Sequence, residues 1–369
     1  MISMKKIPYF NYKALFEADR EKFSEIMISV AERGAYIACE ELDEFEKELA
    51  KFSGCKFAVG VADGTSAIIL ALKAGGVGAG DEVIVASHTM VATASSCAWV
   101  GASPIPVDCL DDRLIDPQSI RKFITPKTKA IMPTQLNGRV ANMDVIKSIC
   151  KEKGLLLFED AAQALGAKYK GQCAGTFGVA GTISFYPAKT LGCFGDGGAV
   201  LTNDEEVYRK VKLLRDHGRN EKGEVEVWGL NSRLDNIQAA ILLHKLKSYP
   251  EAIEKRRSLA HAYDEQLRDI KEILLPPAPS NGDNFDIYQN YEIEAERRDE
   301  LKKYLADNGI GTLIQWGGKA VHQWKGLGFD VSLPRTEKLF ERCIMLPMNT
   351  SLSFEDVGYI CQKVKQFYN

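Results

Sequence analysis

A lysine set among small residues and a carboxylate at the end of an apolar run define the chemistry open to this sequence. Leu155, Leu156, Leu157 and Phe158 lead into Glu159 and Asp160; further on, Lys189 stands among Pro187, Ala188, Thr190, Gly192, Gly195 and Gly197. A lysine whose surroundings lower its pKa is a nucleophilic amine that forms an imine with a carbonyl. Its small neighbours leave room for a flat ring. A carboxylate at the mouth of a buried strand can pair with a protonated ring nitrogen and keep that ring an electron sink. An imine-forming lysine with an aspartate on a pyridinium nitrogen is the pattern of pyridoxal phosphate chemistry. Asp160 also suits the N-cap of a helix over 161–165, and one residue can serve both purposes. Gln163, one turn into that helix, can hydrogen-bond the ring hydroxyl; the alternative is an ordinary exposed glutamine.

A phosphate needs an anion site. Residues 56–61 read as a short strand, and Gly64, Thr65 and Ser66 then open an apolar helix over 67–72. A strand, a small-residue turn and a helix N-terminus supply backbone N–H groups and hydroxyls to an anion. Thr65 or Ser66 could instead be a plain N-cap, but the lysine site downstream favours the anion. The glycine-rich stretch 76–80 follows a helix and precedes a strand, so it lacks the context of a dinucleotide-binding turn.

The positioning elements can be read from periodicity. Residues 16–52 show helical spacing interrupted by a turn at 34–37. Strands at 83–86, 103–107, 130–133, 155–159 and 181–186 alternate with helices at 91–100, from 116, and at 143–153. That alternation predicts a mainly parallel sheet covered on both faces by helices. Ligands of such sheets gather outside the carboxyl ends of the strands, where Thr65, Thr89 and Asp160 fall. Helices follow at 204–217, 237–246 and 251–268, then a Pro- and Gly-punctuated linker at 276–282. Strands at 288–294, 310–315 and 344–346 with helices at 298–308, 335–342 and 355–366 complete a smaller α/β unit. The expected division is a large domain over 1–245, including an N-terminal helical arm, and a small one over 246–369.

Length and composition agree with two domains: 369 residues exceed what one core usually spans. A net charge of −3 gives no basic footprint for nucleic acid. No apolar run approaches a bilayer span, and the N-terminus lacks the apolar core of a signal peptide. The nine cysteines form no C-x-x-C pair, which argues against a metal site or a disulfide framework. A cytoplasmic location is expected.

The sequence resembles the DegT/DnrJ/EryC1/StrS sugar aminotransferases, fold type I pyridoxal phosphate enzymes, over nearly its whole length. The resemblance is carried by Gly34 to Ile37 with Phe45 and Glu46, by 62–67, by Gly80 to Val83, and by Glu159 to Gln163. It continues through Ser184 to Lys189, Gly195 to Ala199 and Gly229 to Arg233. It implies that Lys189 is the imine-forming lysine and the proton shuttle, with Asp160 on the pyridinium nitrogen and Gln163 on the ring oxygen. Gly64, Thr65 and Ser184 would bind the phosphate, and Asn231 would reach the phosphate of the other subunit of a homodimer. Met90 falls where the family places an aromatic residue over the ring; a thioether can cover a ring, with His88 as a possible partner. Tyr186, Arg233, Gln315, Lys319 and His322 are the expected substrate contacts, with Lys325 a further candidate cation.

The run Ile314 to Gln323 resembles that of members acting on dTDP-linked 3-keto-6-deoxyhexoses. The implied reaction is transfer of the amino group of L-glutamate to C3 of such a sugar. Amination at C4, a keto-cyclitol substrate, and a non-catalytic cofactor-binding regulator are the alternatives. A sister group of sugar 3-dehydratases carries histidine in place of the lysine, and Lys189 speaks against it.

Overall fold

The computed structural model describes residues 5–369. Short apolar runs bounded by turns become the strands β1 (Phe57–Val61), β2 (Glu82–Ala86), β3 (Ser103–Val107), β4 (Thr128–Met132) and β5 (Leu156–Asp160). After a small hairpin, β6 (Lys168–Tyr169) and β7 (Gln172–Cys173), come β8 (Ala180–Ser184) and β9 (Gly198–Thr202). Seven of these make one sheet in the order β1-β9-β8-β5-β4-β2-β3. Only β9 runs against the other six. This is the mainly parallel sheet that the alternating pattern predicts, and it is consistent with a fold type I architecture.

Side chains of successive strand residues point to opposite faces, and two cores follow from that. On one face Ile84, Ile131, Leu157, Ile183 and Leu201 pack with Phe45 and Leu49 of the helix Glu40–Ser53. On the other, Val59, Val85, Met132, Phe158 and Val200 pack with Ile68 and Leu72 of the helix Gly64–Ala74. Burial on both faces explains why these strands read as unbroken apolar runs.

A third core lies around the antiparallel sheet of β10 (Ile273–Leu274), β12 (Tyr291–Ala295) and β13 (Cys343–Leu346), while β11 (Asn284–Phe285) joins the β6/β7 hairpin. Ile7 from the start of the chain also packs into this core. The helix Tyr249–Leu267 belongs to two cores: Tyr249 and Ile253 pack with the large sheet, and Leu259, Tyr263 and Leu267 with the small one.

Two local expectations change. Residues 161–165 do not form a helix; Ala164 and, beyond it, Ala167 donate backwards by three residues to Ala161 and Ala164, and Gly166 turns the chain at φ 89°. Residues 310–315 do not form a strand either. Ile310 bridges only to Ile7 and Leu313 only to Met345, and a tight turn over Gln315–Gly318 with Trp316 and two glycines at positive φ follows. The β-branched residues there pack without a continuous ladder.

Gly198 opens β9 directly beneath the start of the helix Gly64–Ala74. A Cβ there would lie 2.4 Å from the Asp63 carbonyl oxygen. Gly198→Ala is therefore expected to displace the helix start, lowering Tm by several degrees and weakening cofactor binding about tenfold. A thermal melt and a cofactor titration that both match the wild type would show that this contact is slack.

Candidate active site

The parallel strands β1, β2, β5 and β8 all end at one edge of the sheet, and the chain leaving them lines a cavity of about 540 Å³. Gly64, Thr65, Met90, Asp160, Gln163, Ser184, Tyr186, Lys189 and Gln315 all lie on its wall. These are nine of the residues singled out by the sequence, gathered from segments far apart in the chain.

The helix Gly64–Ala74 points its N-terminus into this cavity. Its N-cap is Asp63, whose carboxylate accepts from the Ser66 N–H at 2.8 Å and the Ser66 hydroxyl at 2.7 Å. Neither Thr65 nor Ser66 is the cap, so the N–H groups of Gly64 and Thr65 keep no intrahelical partner. Gly64 presses on Ser184: a Cβ there would lie 2.8 Å from Ser184 Cβ. Helix start and β8 end thus form one cradle of N–H and hydroxyl donors, suited to an anion.

Asp160 ends β5 and is 4% exposed. The Thr93 hydroxyl donates to its Oδ2 at 2.6 Å and the Ala162 N–H to its Oδ1 at 3.1 Å. Burial pushes the Asp160 carboxyl above its usual range, against the pull of Thr93, the Ala162 N–H and the charge of Lys189. A carboxylate held in this way gains most from a cation placed beside it. Thr93 is itself held through Thr89, at 2.8 Å, and Thr89 through Thr134, also at 2.8 Å.

Lys189 sits in a turn whose N–H donates to the Tyr186 carbonyl at 2.8 Å. Burial lowers its amine from 10.5 to about 8, with Asp160 opposing the shift. Gln289 clamps the backbone on both sides of the lysine. Its Nε2 donates to the Ala188 carbonyl and its Oε1 accepts from the Thr190 N–H, each at 2.8 Å. Tyr9 and Phe10 from the start of the chain close the wall together with Asn290, Leu313, Trp316 and Met345.

Other expected contacts stand elsewhere. His322 is buried outside the cavity, with Nδ1 at 2.7 Å from Ser87 Oγ and Nε2 at 3.3 Å from Glu337. It ties its loop to the end of β2. Lys319 is exposed and lies over the Trp324 ring at 5.1 Å, and Lys325 is exposed as well. Arg233 donates to Asp216 at 2.6 Å and lines a different cavity. Asn231 is exposed, beside Asp216, and also off this wall. His88 does not share the ring-covering position with Met90. It is fully buried, edge-on to Phe340 and 3.5 Å from Glu292.

Thr93, Gln289 and Asn290 were not among the residues singled out by the sequence. Thr93 lies one helical turn beyond Thr89, which was a usable signal. Gln289 and Asn290 lie in an unremarkable stretch ahead of β12, and nothing local marks them.

Residues 17–365 match the DegT/DnrJ/EryC1/StrS aminotransferase family. The chain belongs to that family. It is 38% identical over 367 residues to the dTDP-3-amino-3,4,6-trideoxy-alpha-D-glucose transaminase of Streptomyces venezuelae, covering 98% of this chain and 96% of that one. It is 37% identical over 367 residues to a protein of Geobacillus stearothermophilus named "Pleiotropic regulatory protein", covering 98% of both. The crystal structure of S. venezuelae DesV in complex with a ketimine intermediate superposes with a TM-score of 0.95 at 36% identity, over 99% of each chain.

As a member of this family the chain is a pyridoxal phosphate-dependent aminotransferase, and the cavity fits that cofactor. It offers a helix N-terminus for a phosphate, a buried carboxylate in need of a cation, and a lysine with a depressed pKa. Among the described residues, no group of side chains could hold a metal ion, and no helix is long and apolar enough to cross a membrane.

Two outcomes follow from this geometry. Only the neutral amine attacks a carbonyl, so the rate at which apoenzyme takes up pyridoxal phosphate should rise with pH through about 8 and then level off. A stopped-flow profile still climbing at pH 10 would show that Lys189 titrates like a free lysine. Thr93→Val removes a hydrogen bond that stabilises the Asp160 carboxylate, and should weaken cofactor affinity about tenfold. A dissociation constant equal to that of the wild type would mean the Thr93 hydroxyl does not support the carboxylate.

Proposed function

We propose that this aminotransferase moves the amino group of L-glutamate to C3 of a dTDP-linked 3-keto-6-deoxyhexose. The observation that carries the proposal is the meeting of Lys189, Asp160 and the Gly64 helix start on one cavity wall. When bound, pyridoxal phosphate supplies an aldehyde and an electron-withdrawing ring that stabilises negative charge on the adjacent substrate carbon.

The residues of this chain do the rest. Gly64, Thr65 and Ser184 are assigned to the phosphate through N–H and hydroxyl donors. Asp160 would hold a protonated ring nitrogen, because a buried carboxylate beside a cation favours the charged pair. Gln163 is assigned to the ring oxygen, and Met90 would cover the ring with its thioether. Lys189 Nζ would take the proton from the amino-bearing carbon of the donor and return it to the cofactor carbon, and carry it the opposite way when the keto sugar receives the amine. A pKa of about 8 makes it a competent base at neutral pH and its conjugate a competent acid. The Gln289 clamp holds the backbone on both sides of that amine, which limits the directions from which Nζ can approach. Tyr186 and Gln315 stand on the wall where the sugar would lie.

Support for C3 comes from the S. venezuelae relative, whose name places the amino group there. The run from Ile314 to Gln323 contributes less, since Gln315 reaches the cavity while Lys319 and His322 do not. The name of the Geobacillus relative brings in the regulatory reading. A scaffold has no use for a lysine and a buried aspartate brought to one cavity wall beside a helix N-terminus. We further propose a homodimer in which Asn231 serves the partner's site. Trp228 is 97% exposed and Val225 and Leu230 are exposed beside it, an apolar segment suited to burial against a second copy.

The test is a product assay with glutamate and, separately, the 3-keto and the 4-keto dTDP-6-deoxyhexose, with the new amine located by NMR. Nitrogen at C3 is expected, and nitrogen at C4 would overturn the regiochemistry. Lys189→Ala should lower turnover at least about a thousandfold. Retained turnover would remove the lysine from the chemistry, whereas a wild type that aminates neither sugar would leave the regulatory reading in its place.

A further inference from the structure

Asp160 ends a line of three buried threonine hydroxyls. Thr93 Oγ1 lies 2.6 Å from Asp160 Oδ2, Thr89 Oγ1 lies 2.8 Å from Thr93 Oγ1, and Thr134 Oγ1 lies 2.8 Å from Thr89 Oγ1. The line follows the sheet. Thr134 stands just beyond β4 and Thr89 just beyond β2, the two strands next in order after β5. The backbone fixes the far end as well. The Asp160 N–H donates to the Pro133 carbonyl at 3.0 Å and the Gln135 N–H to the Asp160 carbonyl at 2.8 Å, so Thr134 runs alongside Asp160. Valine has nearly the shape of threonine, so packing alone does not call for hydroxyls here, and a buried hydroxyl without a partner is costly.

Counting protons gives the line a direction. Each hydroxyl has one proton to donate. Among the described residues, these three hydroxyls pair only with one another and with Asp160. If Asp160 accepts at Oδ2, Thr93 donates to it, Thr89 donates to Thr93 and Thr134 donates to Thr89, and every proton is used. If Oδ2 carried a proton, the line would run the other way and the Thr134 proton would meet no acceptor. Oδ1 already accepts from the Ala162 N–H at 3.1 Å. The line therefore suits one state of Asp160, the ionised carboxylate. Buried hydrogen bonds that run in one direction polarise and strengthen one another.

Thr89 has a second hold on Thr93. In a helix a threonine divides between rotamers, one of which turns its hydroxyl back onto a carbonyl three or four residues earlier. For Thr93, in the first turn of the helix Val91–Trp99, those carbonyls belong to Met90 and Thr89. A proton donated by the Thr89 hydroxyl favours the rotamer that faces Asp160, which is the one present.

We propose that Thr89 and Thr134 are positioning residues for the cofactor, a one-way hydroxyl relay that acts through Thr93 to hold Asp160 ionised for the ring nitrogen of pyridoxal phosphate. The proposal rests on the seating of that cofactor at Asp160 and is the same for a C3 or a C4 acceptor.

The test is a cycle of Thr89→Val, Thr93→Val and the double variant. It is read by the dissociation constant of pyridoxal phosphate from the apoenzyme and by 15N NMR of enzyme loaded with cofactor labelled at the ring nitrogen. Thr89→Val should weaken cofactor binding about fivefold and move the 15N signal toward that of the unprotonated ring, and Thr89→Ser should restore both. In the Thr93→Val background the change at 89 should add nothing, because the relay is already cut beside the carboxylate. Thr134→Val, one link further out, should show the same pattern at about twofold. Thr89→Val with wild-type binding and an unmoved 15N signal overturns the proposal. So does an effect of Thr89→Val that persists undiminished beside Thr93→Val, since that is packing and not a relay. If Thr89→Val does not fold, Thr134→Val takes its place in the cycle and is judged by the same 15N signal. A wild type that binds no pyridoxal phosphate would sink the cofactor reading and the relay with it; a wild type that binds it, with variants that match, sinks the relay alone.

Discussion

A carboxylate buried without a cation of its own is the constraint around which this molecule is built. Asp160 lies at the end of the buried strand β5, and the Thr93 hydroxyl and the Ala162 N–H offset only part of its desolvation. The site therefore favours a ligand that brings positive charge to that point. The same burial that raises Asp160 depresses Lys189, so one desolvated pocket prepares both an acid-loving carboxylate and a nucleophilic amine.

The second unit completes this pocket. Just ahead of β12, Gln289 clamps the lysine turn and Asn290 donates to Gln163, while Gln315 and Trp316 come from the turn after 310. A shared helix, Tyr249–Leu267, packs against both cores and couples their placement. Behind the wall, His88, Arg113 and Glu292 form a buried polar cluster that is tied to the wall residues Asn290 and Gln315 through Asn137. Such clusters are poor sources of stability. This one orders amides whose two ends differ little in shape but are opposite in hydrogen-bonding character.

The parallel sheet was legible because strands buried on both faces read as apolar runs, and their alternation with amphipathic helices leaves few topologies. Asp160, Lys189 and the Gly64 turn were legible for a related reason: each breaks the pattern of its surroundings, a charge at the end of an apolar run or glycines where side chains would collide. Local pattern misled where the chain turns tightly. Residues 161–165 and 310–315 carry helix- or strand-compatible side chains, yet glycines at 166, 317 and 318 take positive φ and the backbone follows them. His322 and Lys319 looked like substrate contacts because histidine and lysine near a sugar site invite that reading. Their partners Ser87, Glu337 and Trp324 are close only in space or are assigned only by the folded loop.

The sequence by itself determined the scaffold and the identities of the reactive groups, because those depend on periodicity and on residue chemistry that act over short stretches. Tertiary structure alone decided the electrostatics and the polarity of the site. The depressed amine of Lys189 comes from burial by segments far from it in sequence. The donor or acceptor direction of the Asn137 amide is set by Glu292, 155 residues further along the chain. Desolvation and hydrogen-bond direction are properties of what surrounds a group, and that surrounding exists only once the chain has folded.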